Sequence, residues 1–198
     1  NAGPGFGGSC FKKDILNLVY LSGYFGLPEV ANYWNQVVEL NTWQQDRIYK
    51  IVLEKLFGTV DGKNIAILGF SFKANTNDTR ESPAIRISSD LLVEGARLSI
   101  FDPKVSFERI EDDLEKCSFN NQGIWRTANS IQDALKNVDA VLILTAWDEF
   151  FGLDWNYLES LMRSPAWVFD TRSVVSRQEI ENTGLNLWKL GEGDKVLS

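Results

Sequence analysis

Apolar residues recur along the chain with two different periods, and the period changes near residue 60. Before that point the spacing is helical. A first helix is predicted after Cys10, with Gly23 and Gly26 ending it. A second is predicted to begin at Pro28, which suits a first helical turn, and to continue without an internal Pro or Gly as far as Gly58.

The second predicted helix is unusually long. About 29 residues with a rise of about 1.5 Å each give roughly 44 Å, which is more than a small compact domain can cover. We therefore expect its apolar stripe to pack against a partner domain or subunit as well as within the chain. A solvated helix with one buried face is the alternative that the pattern leaves open.

From Asp61 onward, short apolar runs alternate with helical segments. This alternation is typical of an α/β fold in which a parallel sheet has helices on both faces. The sequence thus predicts two parts, a helical segment at 1–58 and a sheet domain at 59–198. The candidate strands are Ile65–Phe70, Leu98–Phe101, Ala140–Thr145, Trp167–Asp170 and Leu185–Leu190.

The helices of the second part are marked by capping residues. Between the first two strands, Ser82 is a plausible N-cap, a proline follows it in the first turn, and Gly95 ends the helix. Further helices are predicted to begin near Ser130 and Asp154. The polar stretch 105–127 is interpreted as a short helix and a surface loop.

Composition and charge narrow the possible partners. The chain has 198 residues, 44% of them hydrophobic, and its 20 Lys and Arg against 27 Asp and Glu give a formal net charge of −7. This excess of carboxylates argues against a general nucleic-acid binder and against a membrane-surface protein. Because no apolar run approaches the roughly 18 residues of a membrane span and no signal-peptide pattern opens the sequence, the cytoplasm is the expected location.

The sequence contains no histidine. Ser-His-Asp and Cys-His nucleophile pairs, His-ligated zinc and imidazole general bases are therefore excluded within this chain. Any proton transfer would have to use Asp, Glu, Lys, Tyr or water.

The two cysteines stand in different surroundings, and both are expected to be reduced. Cys10 follows a glycine-rich loop and opens a helix, with Lys12 and Lys13 beside it. The helix N-terminus and the two cations would all favour a thiolate, which is the environment of a nucleophile. A buried, unreactive thiol is the common alternative. Cys117 lies in a polar stretch without such neighbours and is interpreted as structural or incidental.

Cations also follow two predicted strands. Lys73 and Arg80 lie in the segment after the first strand, and Arg172 follows the strand that ends at Asp170. Because parallel strands end at one edge of the sheet, these cations favour an anionic ligand there, although the G-x-G-x-x-G fingerprint of ordinary dinucleotide binding is absent. Solvated or ion-paired structural side chains are the alternative.

Three motifs follow one another along essentially the whole chain. They are Gly5–Phe11 followed by Lys13 and Asp14, then Phe72 and Lys73 with Thr76, Asp78, Arg80, Ser82 and Pro83, and last Phe169 and Asp170 with Arg172. Together they closely resemble the motifs of the UDP-glucose/GDP-mannose dehydrogenase family. Within that family the segments 27–31 and 78–82 most resemble the members that act on UDP-glucose.

The resemblance implies an enzyme that oxidises the C6 alcohol of a nucleotide sugar to a carboxylate with two NAD. Carried over to this sequence, Cys10 is the thiolate that holds the aldehyde as a thiohemiacetal and then as a thioester. Asp14, one helical turn further on, would position or activate the hydrolytic water. The implied fold is a long-helix segment followed by a Rossmann-like UDP-sugar-binding domain.

The resemblance also implies binding residues. Cys10, Lys13 and Arg80 would face the NAD cofactor. The residues implied for the UDP-sugar are Asn1, Gly3, Gly5, Phe6, Gly7, Phe72, Lys73 and Arg172.

The sequence lacks several features that members of this family have. The family has an amino-terminal NAD-binding domain with a glycine fingerprint and further acid and base residues, which this sequence does not contain, so we expect a fragment of a longer protein that is inactive alone. The family also uses the long helix for dimerisation, which predicts a homodimer or higher oligomer. A nucleotide-sugar-binding module with an idle thiol remains open, as does an enzyme for GDP-mannose or a UDP-N-acetylhexosamine.

Overall fold

The structure is a computed structural model that describes residues 2–117 and 122–192. Two helices come first, and a six-stranded sheet with further helices follows. The helices are α1 (Phe11–Tyr24), α2 (Pro28–Lys55), α3 (Pro83–Val93), α4 (Phe107–Glu115), α5 (Ile131–Leu135), α6 (Trp155–Leu161) and α7 (Arg177–Ile180). The strands are β1 (Asn64–Leu68), β2 (Arg97–Phe101), β3 (Ile124–Thr127), β4 (Ala140–Ile143), β5 (Trp167–Asp170) and β6 (Asn186–Lys189).

The sheet confirms the predicted α/β fold. Its order is β3-β2-β1-β4-β5-β6, and every neighbouring pair is parallel. The direction of the winding reverses at β1, which pairs with β2 on one side and with β4 on the other. In open parallel sheets, ligands bind in the crevice outside the carboxyl ends of the strands at such a reversal.

The hydrophobic core lies on both faces of this sheet. Ile65 and Ile67 of β1 pack on the face covered by α3, α4 and the second half of α2, whereas Ala66 and Leu68 pack on the face covered by α5 and α6. The alternation follows from the period of two in a strand. The long helix is confirmed at 28 residues, and only its second half contributes to the core.

The turn after β1 comes earlier than the sequence predicts. The strand ends at Leu68, because Gly69 adopts φ +89°, a backbone angle that residues with a Cβ rarely adopt. A Cβ on Gly69 would lie 2.4 Å from the Cβ of Thr145, at the end of the neighbouring strand. Glycine therefore allows the loop after β1 to cross closely over β4.

Other capping predictions are confirmed, and one loop prediction is wrong. Ser82, Ser130 and Asp154 each cap a helix with the side-chain oxygen. The stretch 105–127 contains the expected helix, but its end forms β3 instead of a loop, and residues 118–121 lie outside the described residues. This four-residue edge strand alternates between exposed and half-buried positions, so it has no continuous apolar run to reveal it.

Candidate active site

The loop that follows β1, residues 69–82, is held in place by one carboxylate. Asp102 stands directly after β2, and its Oδ2 accepts hydrogen bonds from the amides of Phe70 at 2.7 Å and Ser71 at 3.0 Å, and from the indole Nε1 of Trp147 at 3.1 Å. The Ser71 hydroxyl also donates to Oδ2, and the amides of residues 104 and 105 donate to Oδ1. A carboxylate offers about four lone-pair sites. Asp102 is therefore fully occupied by the protein itself.

This arrangement differs from an ordinary dinucleotide site. There, the acid near the end of the second strand accepts hydrogen bonds from a ribose hydroxyl. Here the carboxylate of Asp102 is turned to the loop after β1 and fixes the backbone that leads to Phe72 and Lys73. Asp102 is thus occupied by protein donors and does not present a free carboxylate for the ribose contact of an ordinary dinucleotide site.

Arg172 provides a half-buried positive charge at the same edge. Its Nε donates to the carbonyl of Leu144 at 2.7 Å, and its Nη2 donates to the carbonyl of Phe72 at 3.4 Å. Among the residues that the structure describes, no carboxylate forms an ion pair with it. Burial lowers the pKa of the guanidinium from its ordinary value, which is the signature of a cation with incomplete solvation.

The backbone of β5 and its loop orients this cation. The carboxylate of Asp170 is completely buried and accepts the amides of Arg172 at 2.9 Å and Val175 at 2.9 Å. The Arg172 side chain points toward Gly3, where an added Cβ would lie 3.2 Å from Nη1. The predicted substrate residues Gly3, Phe72 and Arg172 are therefore brought together by the fold.

Residues 3–10, called here the cysteine loop, dock on the loop after β1. The amide of Gly8 donates to the carbonyl of Arg80 at 2.8 Å. A Cβ on Gly7 would lie 2.5 Å from the carbonyl oxygen of Glu81, and one on Gly8 would lie 2.9 Å from the ring of Phe72. These glycines are required because two stretches of backbone approach each other closely, and this contact joins the first two sequence motifs.

Cys10 occupies the end of that loop. It is exposed and is the residue that precedes the first turn of α1, and its carbonyl accepts the amide of Asp14 at 2.9 Å. The side chains of Lys13 and Asp14 are likewise exposed on α1. The thiol is therefore accessible from solvent.

Two charged pairs involve residues next to the cysteine loop and in the loop after β1. Lys12 Nζ lies 2.7 Å from Glu81 Oε2, which links α1 to the loop after β1. Arg80 donates from both Nε and Nη2 to the carboxylate of Asp78. This hydrogen bonding lowers the pKa of Asp78 and raises that of Arg80, to which Cys10 adds a smaller electrostatic contribution.

Sequence reasoning missed the residues of α2 that hold the cysteine loop. Asn41 Oδ1 accepts the amide of Phe6 at 2.7 Å, and Asn41 Nδ2 donates to the carbonyl of Phe6 at 3.2 Å. Gln44 Nε2 donates to the carbonyl of Gly3 at 3.1 Å. The sequence carries no signal for this role, because α2 has further amide side chains at Asn32, Asn35 and Gln36.

The remaining predicted residues are placed as follows. Lys73 is exposed, with Nζ 5.4 Å from the ring centre of Phe72, while Asn1 lies outside the described residues. Both cysteines are free thiols, and burial is the largest of several influences that raise the pKa of Cys117. Within residues 2–117 and 122–192, no group of three or more acidic or thiol side chains could hold a metal ion, and no helix is long and apolar enough to cross a membrane.

Comparison with known proteins matches two parts of the chain to one family. The UDP binding domain of the UDP-glucose/GDP-mannose dehydrogenase family matches residues 66–177, and the central domain of the same family matches residues 1–43. UDP-glucose 6-dehydrogenase 1 of Arabidopsis thaliana is 44% identical over 97% of the chain, and UDP-glucose 6-dehydrogenase of Drosophila melanogaster is 43% identical over 96%.

The chain spans less than half the length of these relatives, 43% and 41% respectively. A solved UDP-glucose dehydrogenase from the archaeon Pyrobaculum islandicum is 30% identical and superposes with a TM-score of 0.70. That match covers 96% of this chain and 38% of the archaeal one.

Proposed function

The chain belongs to the UDP-glucose/GDP-mannose dehydrogenase family, and from this premise we propose that it is the carboxyl-terminal part of an NAD-dependent enzyme that oxidises UDP-glucose to UDP-glucuronate. In this proposal the chain supplies the thiol nucleophile and one side of the UDP-sugar site. The remainder of the reaction would use a dinucleotide-binding domain of the kind that the family resemblance implies.

The observation that supports this proposal most strongly is the half-buried position of the Arg172 guanidinium, without a carboxylate partner among the described residues. A half-buried guanidinium that has only carbonyl partners among the described residues gains most from an anion with two or more oxygens. The diphosphate of a nucleotide sugar has that chemistry. Phe72 lies beside it, and its neighbour Lys73 is an exposed cation, so a ligand held by Arg172 would be flanked by both predicted side chains.

The cofactor fits the outer side of the cysteine loop better than the sheet of this chain. The loop after β1 lacks the glycine fingerprint, and the carboxylate of Asp102 is already saturated by protein donors. Lys13 and Arg80 are exposed near Cys10 and would hold the diphosphate of an NAD bound by the other domain. NAD, when bound, supplies the hydride acceptor for the oxidation of the sugar.

Cys10 and Asp14 would perform the covalent part of the reaction. The thiolate of Cys10 adds to the C6 aldehyde carbon of the sugar, and the aldehyde oxygen takes a proton, which gives a thiohemiacetal. After oxidation to the thioester, water attacks the same carbon and releases the thiol and the carboxylate. Asp14 follows Cys10 by one helical turn on an exposed face, where its carboxylate can orient that water.

A titration of the chain by calorimetry tests the substrate half of the proposal. We expect saturable binding of UDP-glucose and much weaker binding of GDP-mannose. The variant Arg172→Ala should weaken UDP-glucose binding roughly 30- to 150-fold, since a desolvated charge pair contributes about 2–3 kcal/mol. Arg163→Ala, which removes an exposed arginine paired with Asp139, is the matched control. Equal binding of the two sugar nucleotides, or equal affinities of the two variants, would contradict the proposal.

Alkylation tests the catalytic half. Iodoacetamide should modify Cys10 faster than Cys117 near neutral pH, and saturating UDP-glucose should protect Cys10 alone. Cys117 serves as the internal control because it is also exposed. Binding of UDP-glucose without preferential alkylation of Cys10 would instead favour a nucleotide-sugar-binding module with an idle thiol.

We also propose that the chain forms a homodimer through α1 and the first half of α2. Large apolar side chains are exposed along both helices, with Tyr24 at 73% and Tyr33 at 64% exposure. Contiguous exposed apolar surface on a protein usually marks an interaction site. The full exposed set on these helices is Phe11, Leu16, Leu18, Tyr20, Leu21, Tyr24, Val30, Tyr33, Leu40 and Trp43.

A further inference from the structure

We infer that Asn41 is a positioning residue for the reaction, because it sets the conformation of the loop that bears the nucleophile. The inference rests on the proposed function of Cys10. Asn41 lies on α2, remote from Cys10 in the sequence, and its amide group forms two hydrogen bonds with one residue of the cysteine loop. Nothing in the periodicity of α2 distinguishes this side chain.

The first step of the argument is the geometry at Phe6. The Asn41 amide accepts from the Phe6 N–H at 2.7 Å and donates to the Phe6 carbonyl at 3.2 Å, so both backbone groups of this residue are satisfied by one side chain. Backbone groups paired in this way cannot rotate independently, since either rotation would leave a half-buried polar group unpaired. The conformation of Phe6 is therefore fixed from α2.

The second step concerns the neighbouring residue, Gly5, whose lack of a side chain leaves room for the Asn41 amide. Gly5 adopts φ +124°, and a Cβ there would lie 2.7 Å from Asn41 Oδ1. Any other residue at position 5 would displace the Asn41 side chain from the Phe6 backbone. Gln44, one helical turn further on, holds the carbonyl of Gly3 in the same way. One face of α2 thus serves as the template for residues 3–6.

The third step connects Phe6 to the nucleophile. The ring of Phe6 contacts the ring of Phe11 edge to face, with centroids 4.7 Å apart and planes at 89°. Phe11 directly follows Cys10 and begins α1. Since the Gly8 amide is tied to the Arg80 carbonyl, the short segment between Phe6 and Cys10 is fixed at its start, middle and end. Loss of the Asn41 hydrogen bonds would free the start of that segment.

The experiment compares three variants of the full chain. Asn41→Ala removes both hydrogen bonds, and Asn41→Asp is the conservative variant that keeps an acceptor for the Phe6 amide. Asn35→Ala is the matched control, because Asn35 lies on the same helix and its side-chain amide donates to Glu39, one turn away on α2 itself. Residue-resolved amide exchange, the ratio of Cys10 to Cys117 alkylation by iodoacetamide, UDP-glucose affinity and melting temperature are measured for each.

We expect the Phe6 amide of Asn41→Ala to exchange roughly tenfold faster than in the control, which is the effect of one hydrogen bond. Asn41→Asp should retain most of that protection. The alkylation ratio should change at least about threefold and the UDP-glucose affinity fall roughly tenfold in Asn41→Ala, with its melting temperature within about 2 °C of the control. A merely structural residue would shift the melting temperature without this order among the variants.

The inference is overturned if the Phe6 exchange rate and the alkylation ratio of Asn41→Ala equal those of Asn35→Ala. Should Asn41→Ala fail to fold, Asn41→Asp and Gln44→Ala replace it, with exchange of residues 3–6 as the readout. The two proposals fail separately. If the unchanged chain does not bind UDP-glucose, the proposed function is contradicted, whereas exchange and alkylation still decide whether Asn41 positions the loop.

Discussion

The two halves of α2 share one continuous helix but differ in what surrounds them. In the first half, residues 28–41, no residue is buried, and Tyr33 and Leu40 are each more than half exposed. In the second half, Ile48 and Val52 are completely buried against the sheet domain. The same amphipathic pattern therefore has one use within the chain and, in the proposed homodimer, a second use between chains.

This difference shows that helical periodicity specifies a buried face without specifying what buries it. The helix α2 packs on α1, which itself has a single buried residue, Ile15, and Asn41 in the first half of α2 also holds the cysteine loop. Substitutions in the two halves should consequently change different quantities. Those in the second half should change the free energy of unfolding, and those in the first half should change association between chains.

The largest expected effect is at Ile48. Ile48→Ala removes a fully buried side chain from the core and should lower the free energy of unfolding by about 2–5 kcal/mol. Tyr33→Ala, at an exposed position of the first half, should cost less than about 1 kcal/mol when measured on monomer. Denaturation in urea at low protein concentration measures both values. Similar costs for the two variants would remove the distinction between the halves.

The next effect concerns the boundary between the halves, where α2 meets the cysteine loop. Gly5→Ala places a Cβ against Asn41 at a strained backbone angle, and we expect a loss of about 1–3 kcal/mol. Gly26→Ala also lies at positive φ but has no neighbour within 4 Å, so it isolates the backbone contribution. If the two variants unfold at the same urea concentration, the contact with Asn41 contributes no measurable stability.

A smaller effect is predicted for association. Tyr24 is 73% exposed and stacks on Tyr20, and replacing both with Ser should weaken self-association at least tenfold, about 1.4 kcal/mol, with little change in unfolding. Tyr157→Ser, half exposed on α6, is the control from the sheet domain. Analytical ultracentrifugation measures the dissociation constants. A dimer that is insensitive to the two tyrosines but sensitive to Tyr157 would locate the interface elsewhere.

The smallest effect is a pH dependence at the junction of α2 with α3. Burial raises the pKa of Asp90, and Arg86, which also bonds Asp46 of α2, offsets part of that rise. A carboxyl group with a raised pKa in the folded state binds more protons there than in the unfolded state. Its contribution to stability is therefore greatest below the ordinary Asp pKa of 3.8 and declines as the pH rises through the raised pKa.

Comparison of Asp90→Asn with the unchanged chain isolates this contribution. The unfolding free energy of the unchanged chain should fall relative to the variant as the pH rises above 3.8, and then remain at a constant difference. Chemical denaturation at a series of pH values gives the two curves. Parallel curves over the whole range would contradict the raised pKa.

Much of the fold could be predicted because it depends on local pattern. The bounds of β5 and the capping role of Ser82 follow from short apolar runs and from residue types that satisfy helix ends. The edge strand β3 could not be found in this way, since a strand paired on one side needs no continuous apolar run. The short helix α7 depends on a capping box at Ser176 that the sequence analysis did not recognise.

The candidate site was predicted only where it coincides with motifs. Gly3, Phe72 and Arg172 lie together, whereas the expectation that Lys73 and Arg80 join Arg172 in binding one anion stays a prediction. Asn41 and Asp102 act on backbone groups that lie more than thirty positions away in the sequence. Such contacts produce no periodic pattern in the sequence, because a hydrogen bond to a peptide group does not depend on the side chain of the residue that carries that group.

The docking of the cysteine loop on the loop after β1 also has a consequence for biosynthesis. The Gly8 amide donates to the backbone carbonyl of residue 80, which lies in the loop after β1. The strand β1 in turn pairs with β4, in a register that places Ile65 opposite Ala140. A ribosome delivers Cys10 long before any of these partners exists. During translation this thiol is therefore an ordinary peptide thiol, and the contacts between its loop and the loop after β1 can form only once that later loop has been synthesised.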